Sequence, residues 1–280
     1  MRNIFVSITA AMLGLSMVQC ASVRNDDSSH LVILHTNDTH SSIDADRHGN
    51  ASIAQRKAII DSVRAVRGNV MLVDAGDAVQ GSLYFTLFGG EVERELMNRM
   101  DYDIRILGNH EFDRGMDGLA KEWSQVNGDR LSTNYDLSGT VLESIFVPSV
   151  IKEINGHKIG FIGLNVDPKG IISEDNWEGV RYMDALECAN REAEALRGKG
   201  AEMVIALSHL GYTGMPGISD TDVAKGSRGI DIIIGGHSHT LIDTDKPDSP
   251  QWLFDNVEGQ PVIVLQTGSR GGFVGEIDID

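Results

Sequence analysis

Five short apolar runs constrain this chain more than any other feature: Leu31 to Leu34, Val70 to Val73, Ile104 to Leu107, Met203 to Leu207 and Ile232 to Ile234. Each has the length of a strand and reads as buried. Between them, Ile53 to Val66, Val92 to Met100, Met116 to Val126 and Ala185 to Leu196 carry apolar residues at helical spacing. Strands alternating with helices predict α/β layering. Asn155-Gly156, flanked by Val150-Ile151 and Ile159 to Ile162, adds a hairpin, because Asn-Gly supplies the positive φ angles of a tight turn. Part of the sheet structure is therefore expected to be antiparallel. Asp243 to Pro250 is polar and carries Pro247 and Pro250, marking a surface loop before the last strands at Val262 to Leu265 and Val274 to Ile279. No repeat and no linker composition follows residue 30, so one mixed α/β domain over residues 31–280 is the simplest partition.

The first twenty residues read as an export signal: Arg2 supplies the positive start, Ile4 to Val18 is mostly apolar, and Cys20 stands at the expected cleavage region. Ser7, Thr9, Gly14 and Ser16 interrupt the run, which falls short of the about 20 apolar residues of a spanning helix. Cys20 resembles the lipidated cysteine of a bacterial lipoprotein. The expectation is an exported protein, periplasmic or held to the membrane through that lipid anchor, with residues 21–30 as a polar tether. Cys188, among Ala185, Leu186, Ala189, Ala193 and Leu196, is expected on a buried helix face and has no partner for an internal disulfide. Against 24 Lys and Arg stand 41 Asp and Glu, and the net charge of −17 excludes an electrostatic footprint for nucleic acid or an anionic bilayer. A phosphate-bearing substrate would then need a local positive charge, which a pair of divalent cations supplies.

Each apolar run leads within a few residues into potential metal ligands. Leu31 to Leu34 precedes His35-Thr36-Asn37-Asp38-Thr39-His40; Val70 to Val73 precedes Asp74-Ala75-Gly76-Asp77; Ile104 to Leu107 precedes Gly108-Asn109-His110-Glu111. Met203 to Leu207 precedes Ser208-His209, and Ile232 to Ile234 precedes Gly235-Gly236-His237-Ser238-His239. Ligands in open α/β sheets collect at the carboxyl ends of strands, so these loops can converge on one crevice. Asp38 and His40, like His237 and His239, are two apart, which in extended backbone aims both side chains to one side. Imidazole, carboxylate and amide oxygen donors suit Zn, Mn, Fe or Co better than a calcium cage or a thiolate site. His30, His35, His48 and His157 are assigned no role.

The set Asp38-x-His40, Gly76-Asp77, Gly108-Asn109-His110-Glu111, His209 and Gly236-His237-x-His239 resembles the calcineurin-like metallophosphatases. Leu34-His35-Thr36-Asn37-Asp38, Gly76 to Ser82 and Gly108 to Asp113 resemble their 5′-nucleotidase branch, and the similarity runs from about residue 31 onward. The resemblance implies a four-layer α/β/β/α sandwich with two mixed sheets face to face. It implies that Asp38, His40, Asp77 and His239 hold one divalent ion and Asp77, Asn109, His209 and His237 another, with Asp77 bridging. It also implies a phosphomonoesterase, acting first on nucleoside 5′-monophosphates, in which metal-activated water attacks in line. His110 would stabilise the transition state or protonate the leaving oxygen, oriented by Asp113.

Three features depart from that family. Ser41 follows His40 where glycine is usual, and His239 stands where some members carry glutamine. Nothing before Asp280 matches the C-terminal domain that clamps the nucleotide base, so either the chain accepts phosphate esters broadly or a separate partner chain supplies that domain. Hydrolysis of 2′,3′-cyclic nucleotides or nucleotide sugars, and a non-catalytic phosphate-binding module, are the competing functions. Gly-x-Ser-x-Gly and phosphate-loop motifs are absent.

Overall fold

The computed structural model describes the backbone of residues 4–10 and residues 30–279. In chain order the strands are β1 (Ile4–Ala10), β2 (Leu31–Thr36), β3 (Asn69–Asp74), β4 (Ile104–Ile106), β5 (Asp129–Leu131), β6 (Tyr135–Asp136), β7 (Ser149–Ile154), β8 (His157–Leu164), β9 (Arg181–Tyr182), β10 (Met203–Ser208), β11 (Ile232–Ile234), β12 (Leu253–Asp255), β13 (Pro261–Leu265) and β14 (Phe273–Ile279). The helices are α1 (Ile53–Val66), α2 (Leu83–Phe88), α3 (Glu91–Asn98), α4 (Gly115–Trp123), α5 (Ala185–Gly198) and α6 (Asp220–Gly226), with short 3-10 turns at His110–Arg114 and Glu174–Asn176. The segment read as an export signal is described only at β1, and the proposed cleavage and lipidation at Cys20 lie outside the described residues.

Two six-stranded sheets carry the fold, ordered β1-β14-β2-β3-β4-β5 and β12-β13-β11-β10-β8-β7. Within each, the strands leading to the candidate ligands run parallel: β2 beside β3 and β3 beside β4 in one, β10 beside β11 in the other. Their carboxyl ends therefore lie at one edge of each sheet. The antiparallel strands sit outside them, including the expected hairpin of β7 and β8, where Asn155 and Gly156 take φ of 53° and 80°.

Alternation within each strand sorts side chains to the two faces. Leu31, Ile33, Met71, Val73, Ile104 and Ile106 of the first sheet meet Ile159, Phe161, Met203, Ile205, Leu207, Ile232 and Ile234 of the second in one core. The intervening Val32, Leu34 and Leu72 turn outward to Ile60 of α1 and Met97 of α3. On the far side, Val204, Ala206 and Ile233 meet Ala185, Ala189, Ala193 and Leu196 of α5 and Val223 of α6. Because both faces of each sheet are covered, the apolar runs are continuous rather than alternating. The layering is the four-layer α/β/β/α sandwich expected. Cys188 is buried in α5, as read from its neighbours. Among the described residues, no helix is long and apolar enough to cross a membrane.

Candidate metal centre

The loops beyond β2, β3 and β4 interlock with those beyond β10 and β11. Asp38 N–H donates to the Gly76 carbonyl (2.9 Å) and His40 N–H to the Asp77 carbonyl (3.0 Å). Across the sandwich, His237 N–H donates to both Asp38 carboxylate oxygens at 3.0 Å, and His209 Nδ1 donates to the Ala75 carbonyl at 2.7 Å. Donation from Nδ1 aims His209 Nε2 at the cluster, where a bound metal would take the place of its proton. Space here admits no side chain at Gly108, where a Cβ would lie 2.2 Å from Asp77 Oδ1.

Asp38, His40 and His239 bring ligand atoms within 4.8 Å of one another, as do Asp77, His209 and His237, and likewise His40, Asp77 and His110. Asp77 stands between the groups: its Oδ2 is 3.1 Å from His209 Nε2 and 3.9 Å from His40 Nε2. Asn109, in the turn between Gly108 and His110, is buried with its Oδ1 unpaired. All seven expected ligands thus come from loops at one edge of the sandwich. Neither pair reaches it through extended backbone, as the two-residue spacing had suggested. Asp38, His40, Asp77, His237 and His239 have φ of 48°, 44°, 55°, 68° and 54°. A left-handed turn at each end of Asp-x-His and His-x-His swings the second side chain back toward the first. Each such non-glycine residue costs roughly 1–2 kcal/mol, and strain of this kind persists where surrounding structure holds it for a purpose.

The electrostatics suit a cation. Asp38 and Asp77 are buried, and His40 Nδ1, Asn109 Oδ1, His209 Nε2 and His237 Nε2 are buried with no aligned hydrogen bond. Such groups are costly unless paired or coordinating. Burial raises the Asp77 carboxyl, but His209, His110 and His40 outweigh it and hold it well below the usual range. Burial lowers His209, yet the Asp77 and Asp38 carboxylates push it up to about 10. His237 is drawn down to about 4 by burial and by His209. The donor set therefore fits divalent metal of borderline character.

His110 and Asp113 stand beside this cluster as a pair, with Nδ1 and Oδ2 2.9 Å apart. That contact raises the imidazole pKa against the opposing effect of burial. His110, His237 and His239 are the cluster's incompletely buried members, which places its opening on their side. Of the histidines given no role, His30 faces Asp278, His48 meets Arg47 and His157 meets Glu202, while His35 is buried beneath Gly275.

Several supporting residues had no role assigned from sequence. Glu111 accepts from Asp77 N–H (3.0 Å), Ala78 N–H (2.9 Å) and Gly108 N–H (2.6 Å), binding two ligand loops together. Asn37 Nδ2 donates to Asp38 Oδ2 (2.6 Å), and its Oδ1 accepts from Thr267. Gln266 holds the last loop by donating to the Gly236 carbonyl and accepting from Thr240 N–H. Asp220 accepts from Ser208 beside His209, and burial pushes its carboxyl up to about 7. The sequence signal for Glu111 was its place two residues after Asn109, which a surface helix glutamate would share.

The family profile of calcineurin-like phosphoesterases matches residues 31–241. A probable 5′-nucleotidase of Treponema pallidum is 29% identical over 97% of this chain and 49% of its own length. The mouse 5′-nucleotidase is 30% identical over 89% of this chain and 46% of its own. Among solved structures, a 5′-nucleotidase precursor from Thermus thermophilus superposes with a TM-score of 0.79 at 32% identity, covering 89% of this chain and 51% of that one. The chain spans about half the length of the curated relatives it matches.

Proposed function

This chain belongs to the calcineurin-like phosphoesterase family, and from that premise we propose that it is a dinuclear-metal phosphoesterase acting on nucleoside 5′-monophosphates. The observation that carries the reading is the pair of buried ligand atoms without a hydrogen bond, Asn109 Oδ1 and His237 Nε2, together with His40 Nε2 and His209 Nε2 facing the buried Asp38 and Asp77 carboxylates. The substrate class follows from the relatives named 5′-nucleotidases. Asp38, His40, Asp77 and His239 would hold one ion and Asp77, Asn109, His209 and His237 the other. Such ions, when bound, polarise phosphoryl oxygens and acidify water.

The chain's own groups supply the rest. Asp77 faces both ligand groups, and its position is fixed by accepting from His110 N–H at 2.9 Å. Asp113 holds His110 Nδ1, so the ring's Nε2 is the atom free to meet the reacting phosphoryl group. Because Asp113 favours the protonated ring, His110 is suited to donate a hydrogen bond to a phosphoryl oxygen and a proton to the departing oxygen. Glu111 keeps the loops of Asp77 and Asn109 in register while this happens.

The deciding experiment is hydrolysis of AMP, a 2′,3′-cyclic nucleotide, a nucleotide sugar and an aryl phosphate with added Mn or Zn, each followed by chromatography of its own products. Preference for AMP is expected. A cyclic or sugar nucleotide turned over faster would move the substrate assignment, and no turnover of any would overturn the enzyme reading. Export rests on Arg2, the apolar run to Val18 and Cys20. Intact mass of the envelope-extracted protein tests it, with cleavage before Cys20 and added acyl mass expected.

A further inference from the structure

We infer that Arg270 is a substrate-binding residue whose guanidinium engages the anionic oxygens of the phosphate ester at the rim of the ligand cluster. This rests on the phosphoesterase reading above and adds to it a specific cation.

Arg270 lies in the turn between β13 and β14, tied to the ligand loops at several points. Its N–H donates to the Asp38 carbonyl at 2.7 Å, and Gly268 N–H donates to the Thr240 carbonyl at 2.9 Å. The Gly268 carbonyl accepts from Asn37 Nδ2 at 2.8 Å. Gly271 rests on the guanidinium of buried Arg56, where a Cβ would sit 1.8 Å from Nη1. The backbone of Arg270 is thus fixed relative to Asp38 and His239. Its side chain runs to Gly81: a Cβ there would be 3.1 Å from Arg270 Nη1 and 3.6 Å from His40 Cβ. The guanidinium therefore stands beside His40, separated by the space Gly81 leaves open.

Nothing in folding accounts for an arginine at this point. Its φ is 55°, between glycines at 268 and 271, and a non-glycine residue there costs roughly 1–2 kcal/mol. The side chain is exposed, and among the described residues it has no hydrogen-bond, carboxylate or ring partner. Arg114, which follows Asp113 in the chain, is committed to the Thr86 carbonyl at 2.9 Å and to the Phe85 ring. An anionic ester approaching a chain of net charge −17 meets repulsion, which a cation at the mouth offsets locally. A guanidinium can also grip two phosphate oxygens at once.

Arg270→Asn removes the charge while keeping a residue that tolerates left-handed backbone, and Arg270→Lys keeps the charge without the fork. With metal-loaded protein, the measurements are kcat and KM for AMP, inorganic phosphate affinity by calorimetry, and metal content. For Arg270→Asn, KM and the phosphate Kd should rise about tenfold, as expected for one lost charge-assisted contact. In that variant kcat should stay within about twofold, since uniform binding is lost, and metal content should not change. Arg270→Lys should recover part of the loss. KM and phosphate affinity within twofold of the parent, or loss of metal, would overturn the inference. A parent that hydrolyses nothing, yet binds phosphate more weakly once Arg270 is replaced, would sink the phosphoesterase reading and leave this one standing.

Discussion

Glu111 offers a test in which hydrogen bonding and charge pull in opposite directions. Its carboxylate accepts three buried backbone N–H groups, those of Asp77, Ala78 and Gly108. Leaving a buried donor unpaired costs about 2 kcal/mol, so Glu111→Ala forfeits about 6 kcal/mol from three. Against this, burial and the nearby Asp77 raise the Glu111 carboxyl from 4.5 to about 7, so holding its charge at neutral pH costs about 3 kcal/mol, which either neutral residue removes. The net expectation for Glu111→Ala is a loss of about 3 kcal/mol. Glu111→Gln keeps two of the three acceptor contacts if its oxygen takes the Oε2 position, and turns an NH2 group toward Ala78 N–H. One lost contact and the relieved charge nearly cancel, leaving it within about 1 kcal/mol of the parent. Denaturant unfolding in EDTA at pH 7, with linear extrapolation, reads both values. An alanine variant within 0.5 kcal/mol of the parent, or a glutamine variant as costly as alanine, would refute the reasoning.

Three further outcomes follow from the site. His110→Asn should lower kcat by about 100-fold to 10,000-fold with two ions still bound, whereas loss of metal in parallel would show His110 to be a ligand. Gly108→Ala must drive its methyl into Asp77, so metal occupancy and activity should fall together, and normal occupancy would contradict the packing. In EDTA the protein should lose stability as pH rises from about 6.5 to 10. His209, raised from 6.5 to about 10, contributes stability that is fully present below its unfolded pKa and lost as pH climbs through the folded one. Glu111 and Asp220, both raised to about 7, act in the same direction at the lower end of that range. Calorimetric melting across this range checks it, and a flat profile would count against the charge arrangement. Bound metal requires neutral imidazole, so the holo protein should show a weaker slope.

The elements legible in sequence were those with one strong physical signature. The buried strands announced themselves because both faces are covered, and α1 fell at Ile53–Val66 as its spacing predicted. Helix α2, Leu83–Phe88, was missed because LYFTLF has no polar face to set a period, and it leaves Leu83 and Leu87 exposed. Strands β6 and β9 are two residues each, too short for any pattern.

The ligand types were legible because they recur at strand ends, but their approach was not. Nothing in Asp38-x-His40 distinguishes extended backbone from the two left-handed residues found. The supporting contacts were hidden for another reason: Asn37 and Thr267 meet across 230 residues, a pairing only the closed sandwich creates. Asp113 could serve a helix end or a histidine in sequence alone. In the fold it faces His110, and Arg114 stands at the start of α4.

Elemental analysis of the purified, reconstituted protein, paired with anomalous scattering from its crystals, tests the central claim most directly. The account predicts two divalent ions per chain, one against Asp38, His40 and His239 and one against Asn109, His209 and His237, sharing Asp77. A single ion at full occupancy, or density away from these seven side chains, would contradict it.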